Sequence, residues 1–108
     1  MRLPEDTFIA QEKLTEYLLQ WRPEDDKSAF LAQAGYTLAN ADRLMADIRN
    51  QLMPLEAEAS EETEYGPKYD VRGALNGPNG RILRVVTIWL TEEATGRTKF
   101  ITLFPDKA

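Results

Sequence analysis

The stretch KYDVRGALNGPNGRILRVVTIWL, Lys68–Leu90, decides the fold. Asn76–Gly80 concentrates Asn, Gly and Pro, the residues that tolerate the backbone angles of a tight turn. The flanking segments, Lys68–Leu75 and Arg81–Leu90, alternate in character and are rich in β-branched and aromatic residues, which suit strands. A β-hairpin is the direct reading. A second loop, TEEATG (Thr91–Gly96), then leads to a strand over Arg97–Phe104 that Pro105 stops.

Upstream the apolar period lengthens from about 2 to about 3.6 residues. Leu14, Tyr17, Leu18 and Trp21 form one helical stripe ending at Pro23. A short helix is expected over Ala29–Ala34, capped by Asp26 or Ser28 and stopped by Gly35. Thr37 is the candidate N-cap of a third helix, striped by Leu38, Ala41, Leu44, Met45, Ile48 and Leu52 and closed by Pro54. These stripes read as core packing against the sheet. The expected fold class is α+β, with N-terminal helices on a C-terminal antiparallel meander of three to four strands. The chain reads as a single domain, 1–108, with a helical half (9–53), an acidic linker (54–66) and the sheet (67–105). Leu55, Ala57 and Ala59 alternate with polar residues, so the linker offers an edge strand.

At 108 residues, the chain can bury a modest core. It has no Cys, which removes disulfides and thiol chemistry, and no His, which removes the commonest general base and metal ligand. No apolar run approaches the roughly 18 residues that span a bilayer, and the N-terminus lacks a secretory signature. A cytoplasmic protein is expected, with no membrane partner.

The net charge is −5 but unevenly spread. Residues 1–66 carry 6 Lys and Arg against 14 Asp and Glu, whereas residues 67–108 carry 7 against 4. Four of the cations, Lys68, Arg72, Arg81 and Arg84, lie on the hairpin. If Leu75 faces Arg81, then Arg72 meets Arg84, Asp70 meets Val86 and Lys68 meets Ile88 on one face. Tyr69 meets Thr87 on the other. Two opposed arginines destabilise a pair unless Asp70 or a bound anion sits between them. A one-residue slip would exchange the faces. The acids Glu56, Glu58, Glu61, Glu62 and Glu64 either form a solvated linker or fold back on the cationic hairpin.

Five blocks carry a resemblance: EKLTEYLL (Glu12–Leu19), KSAFLAQAGY (Lys27–Tyr36), TEYGPKYDVRGALNGPNGR (Thr63–Arg81), VVTIW (Val85–Trp89) and KFITLFP (Lys99–Pro105). Together they resemble a family of small uncharacterised bacterial domains. In the same order they also resemble the C-terminal toxin domains of contact-dependent inhibition proteins, in the barnase/EndoU/colicin/RelE group of metal-independent ribonucleases. Lys68 and Tyr69 match the K-Y of the first strand, Thr87 and Trp89 the T and W of the second, and Thr102 the T of the last. Lys99 stands where Arg is usual and Pro67 where a small or polar residue is. The lack of His departs from barnase and EndoU, whereas RelE-like enzymes work with Arg, Lys and Tyr.

The resemblance implies an active site on the open sheet face. RNA self-cleavage needs a base for the 2′-hydroxyl, cations for the developing phosphorane charge and a proton for the leaving oxygen. The catalytic candidates are Lys68 and Arg84, clamping the phosphate, with Thr87 or Thr102 donating a hydrogen bond. The substrate-binding candidates are Tyr69 and Trp89, stacking on a base or else filling the core, and Arg72, Arg81 and Lys99. The base is Asp70, Glu64 or a lysine. No cofactor or metal enters this chemistry. RNA, such as tRNA, is the expected substrate, and an acidic or cognate antitoxin or immunity protein the expected partner. The alternative is a non-catalytic module of the same fold that binds a protein or RNA.

Overall fold

The computed structural model describes residues 1–24 and 26–107. Helix α1 (Gln11–Lys13) widens into a π-type turn over Leu14–Leu18. α2 spans Ser28–Ala32, and a 3-10 turn at Leu38–Asn40 leads into α3 (Ala41–Asp47), which also widens, over Ile48–Leu52. Four strands follow: β1 (Glu58–Thr63), β2 (Gly66–Asn76), β3 (Ile82–Thr91) and β4 (Thr98–Pro105). They pair antiparallel in the order β1-β2-β3-β4. The chain is therefore α+β, with short helices preceding a four-stranded meander. Among the described residues no helix is long and apolar enough to cross a membrane.

The local signals behave as their chemistry requires. The Asp26 carboxylate accepts hydrogen bonds from the Ser28 N–H (3.3 Å) and hydroxyl (2.7 Å), so it caps α2; the Ser28 hydroxyl is the main reason its pKa is lowered. Gly35, with φ +92°, ends that segment. Thr37 and Asn40 form a reciprocal capping box, the Thr37 N–H donating to Asn40 Oδ1 at 2.8 Å. Leu44, Ile48 and Leu52 are fully buried, each contributing about 1.5–3 kcal/mol of apolar burial. Two stripe residues lie outside the core. Trp21 is 70% exposed because the helix ends at Leu18, a turn before it, and Leu38 is 49% exposed at the start of the 3-10 turn.

The acidic linker is largely a strand. β1 pairs with β2, Glu58 opposite Asp70 and Glu61 opposite Lys68, with a bulge between Ala59 and Glu61. The opposite edge is partly covered, since Phe8 bridges β4 by accepting from Phe100 N–H and donating to Thr98 O.

The hairpin register differs from the expected one by two residues. Leu75 pairs with Leu83, Gly73 with Val85, Arg72 with Val86 and Ala74 with Arg84. The loop lies one residue further along, closed by Gly77 N–H to Arg81 O at 2.9 Å, with Gly80 at φ +86°. An even displacement keeps every side chain on its face, because side chains alternate with period 2.

The helices cover the face of Val71, Leu75, Leu83, Val85, Trp89, Phe100 and Leu103. Gly73 lies on that face, where a Cβ would stand 2.5 Å from Leu55 Cδ1 and 2.9 Å from Leu52 Cδ2, so its lack of a side chain lets the end of the helical layer close on β2.

Candidate functional site

The open face is built from three strands in rows of directly paired residues. The rows are Lys68–Leu90–Lys99, Asp70–Ile88–Thr102 and Arg72–Val86–Phe104, with Arg84 beside Ala74. Lys99 and Thr102 differ by an odd number yet share this face. A bulge between Ile88 and Trp89 gives β4 an unpaired Ile101 and resets the alternation.

Five of the nine residues expected at the site meet on this face: Lys68, Arg72, Arg84, Lys99 and Thr102. Three do not. Thr87 and Trp89 are fully buried against the helices. The Trp89 Nε1–H donates to Thr87 Oγ1 at 2.7 Å, and that hydroxyl donates to Val71 O at 2.9 Å. Trp89 also meets Phe100 edge-on, with ring centroids 5.1 Å apart. Their matched positions are thus structural, and neither can touch a ligand on the open face. Tyr69, paired with Trp89, packs partly buried against the same core. Arg81 is exposed at the hairpin turn, off the strand face.

The expected single clamp of Lys68 and Arg84 is also revised. Arg84 pairs with Ala74, six residues along β2 from Lys68, a separation of roughly 20 Å at about 3.3 Å per residue. Arg84 is instead the diagonal neighbour of Arg72, roughly 7–8 Å away. The face therefore holds two cationic pairs, Arg72/Arg84 at one end and Lys68/Lys99 at the other, with Asp70 between them.

Acids from neighbouring segments match most of these cations. Arg72 Nη1 lies 3.2 Å from Asp106 Oδ1, and Arg72 Nη2 lies 4.0 Å from Asp70 Oδ2. Lys68 Nζ is 3.8 Å from Glu61, and Lys99 Nζ is 3.4 Å from Glu92. The acidic linker has folded back beside the hairpin. These pairs are partly exposed to solvent, each contributing about 0–1 kcal/mol and weakening with salt. The Arg84 guanidinium has no ion pair or hydrogen bond among the described residues.

Asp70 is the unusual group. Its Oδ1 is shielded from solvent yet has no hydrogen-bond partner among the described residues. A shielded carboxylate oxygen without a donor is costly, and such atoms are commonly kept for a ligand or a reaction. Glu64, the other candidate base, is exposed beside the β1–β2 turn. No cluster of three or more Asp or Glu suited to a metal ion occurs among the described residues.

A groove of about 530 Å³ crosses the Arg72–Val86–Phe104 row. Val86 forms its floor, Phe104 (38% exposed) and Phe30 its walls, and Asp26, Lys27, Arg72, Asp106 and Lys107 its margins. Sequence reasoning missed Phe104 and Asp106. With the β4 bulge unknown, alternation could not place Phe104, and Asp106 lies beyond the residue expected to stop the strand.

The class is thus an α+β module with helices on one face of an antiparallel meander and a mixed cationic surface on the other. The family model of DUF6883, a domain of unknown function, matches residues 2–107, and the chain belongs to that family. No curated protein and no solved structure matches it.

Proposed function

We propose that the protein is a small metal-independent endoribonuclease-like toxin domain. One observation carries this reading: Asp70, whose shielded Oδ1 has no hydrogen-bond partner among the described residues, lies between two cationic pairs on the sheet face turned away from the main core. The resemblance to toxin domains in which helices precede an antiparallel sheet adds to it. The Asp70 carboxylate takes the proton of the ribose 2′-hydroxyl. The freed 2′-oxygen attacks the adjacent phosphorus, and the 5′-oxygen leaves with a proton from solvent, producing a cyclic phosphate end. The Arg72 and Arg84 guanidinium groups hold the phosphate whose charge grows in the transition state, each offering a planar fork of donors. Lys68 and Lys99 contact a neighbouring phosphate, and Thr102 supplies a hydroxyl to the sugar. The protein would act in the cytoplasm on RNA such as tRNA, restrained by a cognate antitoxin or immunity protein.

The test is incubation with total tRNA in chelator. Wild type is expected to give discrete fragments with cyclic phosphate ends. Asp70→Asn is expected to lose roughly 10²–10⁴-fold in rate, the usual contribution of a general base. Absence of cleavage at high protein concentration, with normal growth on overexpression, refutes the reading.

A second reading takes weight from the ion pairing, since Glu61, Glu92 and Asp106 offset the cationic charge that would have to stabilise a transition state. In it the module binds RNA without cutting. Filter binding would then show retention of intact RNA by wild type and Asp70→Asn alike.

A further inference from the structure

We infer that the groove over Val86 is a subsite for one unstacked nucleobase, and that the substrate is therefore single-stranded RNA rather than duplex. This deepens the ribonuclease reading and rests on it. Tyr69 and Trp89, which the sequence offered as stacking residues, are turned to the helical core. Phe104 is the aromatic ring that the open face does provide. It is 38% exposed and shares a strand row with Arg72, so a base lying on it leaves its phosphate toward Arg72 and Arg84.

The groove has the composition such a subsite needs. Its floor and walls are apolar, from Val86, Phe104 and Phe30, while Arg72 and Lys107 stand at the margin. Its two carboxylates have internal duties: Asp26 caps α2, and Asp106 pairs with Arg72. The groove thus presents a flat apolar surface with cations beside it, which is how single strands are held: bases stack on aromatic rings while the backbone follows positive charge. A volume of about 530 Å³ is in the range of small-ligand sites. A base paired and stacked inside an A-form helix cannot reach a ring lying on a sheet floor, so the base must be splayed out.

Fluorescence anisotropy tests this with a labelled oligonucleotide whose sugars are 2′-O-methylated, which removes the attacking hydroxyl and prevents cleavage. Binding is measured for the single strand and for the same strand annealed to its complement. We expect the single strand to bind at least roughly tenfold more tightly. Phe104→Ala is expected to weaken single-strand binding roughly tenfold, while Phe104→Trp keeps or improves it, as alanine and aromatic replacements do at stacking platforms. Circular dichroism reports whether each variant is folded. If Phe104→Ala remains folded and binds like wild type, or if duplex and single strand bind equally, the subsite is refuted. Cleavage of tRNA that survives Phe104→Ala unchanged would refute the subsite while leaving the nuclease reading intact. Ring-dependent single-strand binding without any cleavage by wild type would support the subsite and remove the nuclease reading.

Discussion

Thr87→Val separates a structural threonine from a catalytic one. The two side chains are nearly the same shape, so the change leaves the packed volume of the core almost untouched. It removes the acceptor of the Trp89 indole N–H (2.7 Å) and the donor to Val71 O (2.9 Å). Thr87 and Trp89 are both fully buried, so water cannot replace the missing partner. A buried donor left unsatisfied costs about 1–3 kcal/mol, and the added methyl recovers less than that. The expected loss is about 2 kcal/mol, a fall in Tm of roughly 10 °C for a domain of this size. Thr87→Ser keeps the hydroxyl and loses one methyl, costing about 1 kcal/mol. Urea unfolding followed by circular dichroism measures both, and the Thr87→Val/Trp89→Phe double mutant measures their coupling. Removing both partners should be less costly than the sum of the single changes. If the protein cleaves RNA as proposed, Thr87→Val should do so at the wild-type rate per folded molecule well below its Tm. Thr87→Val within about 0.5 kcal/mol of wild type, the range of an unremarkable surface change, would refute the buried network as drawn. Given a wild type that cleaves, a folded Thr87→Val that does not would return the residue to the proposed active site.

Gly66 has φ +134°, and a Cβ there would stand 2.0 Å from Thr91 O, so Gly66→Ala should cost more than about 3 kcal/mol in urea unfolding. Gly96→Ala at φ +73° meets nothing within 4 Å and should lose about 1–2 kcal/mol from backbone strain alone, so equal losses at the two sites would contradict the β1–β2 turn geometry. Burial, aided by the hydrogen bond to Asp47 (2.6 Å), pushes the Tyr36 phenol above its ordinary value of 10.0. The folded state therefore holds this proton more tightly, and the contribution is complete below pH 10 and declines above it, by up to about 1.4 kcal/mol per pH unit. Tyr36→Phe should remove that component of the alkaline slope in pH-dependent urea midpoints, and an unchanged slope would count against it. Asp106→Asn releases Arg72 from its 3.2 Å ion pair. Its stability should change by less than about 1 kcal/mol, while affinity for a non-cleavable single-stranded RNA rises at low salt; weaker binding would argue that Asp106 contacts the ligand.

Much of the architecture was legible in the sequence because its signals are local. Asp26, Gly35, Thr37, Pro54 and the 76–80 turn act through their own backbone or near neighbours, and the change of period separates helices from strands. The charge split was equally legible, and the acidic linker proved to be the strand that places Glu61 beside Lys68. The face assignment of the hairpin was readable although its register was not, because a displacement of two residues preserves side-chain alternation.

The arrangement of the candidate site was decided by tertiary structure. Which strand residue meets which depends on where within the Asn/Gly/Pro stretch the loop closes and on the bulge at Ile101, neither of which composition fixes to the residue. Thr87 and Trp89 look the same in sequence whether they face RNA or the helices; packing against the helical layer turned them inward. Pairing with Val86 carried Arg72 away from direct opposition to Arg84, and Asp106, 34 residues along the chain, came to rest against it. The sequence by itself determined the elements and the sign of charge on each, because those follow from local geometry and composition. The structure alone decided that Asp70 holds, between two cationic pairs, an oxygen with no hydrogen-bond partner among the described residues and that Phe104 is an exposed ring beside them, because both depend on contacts between strands that only the folded sheet brings together.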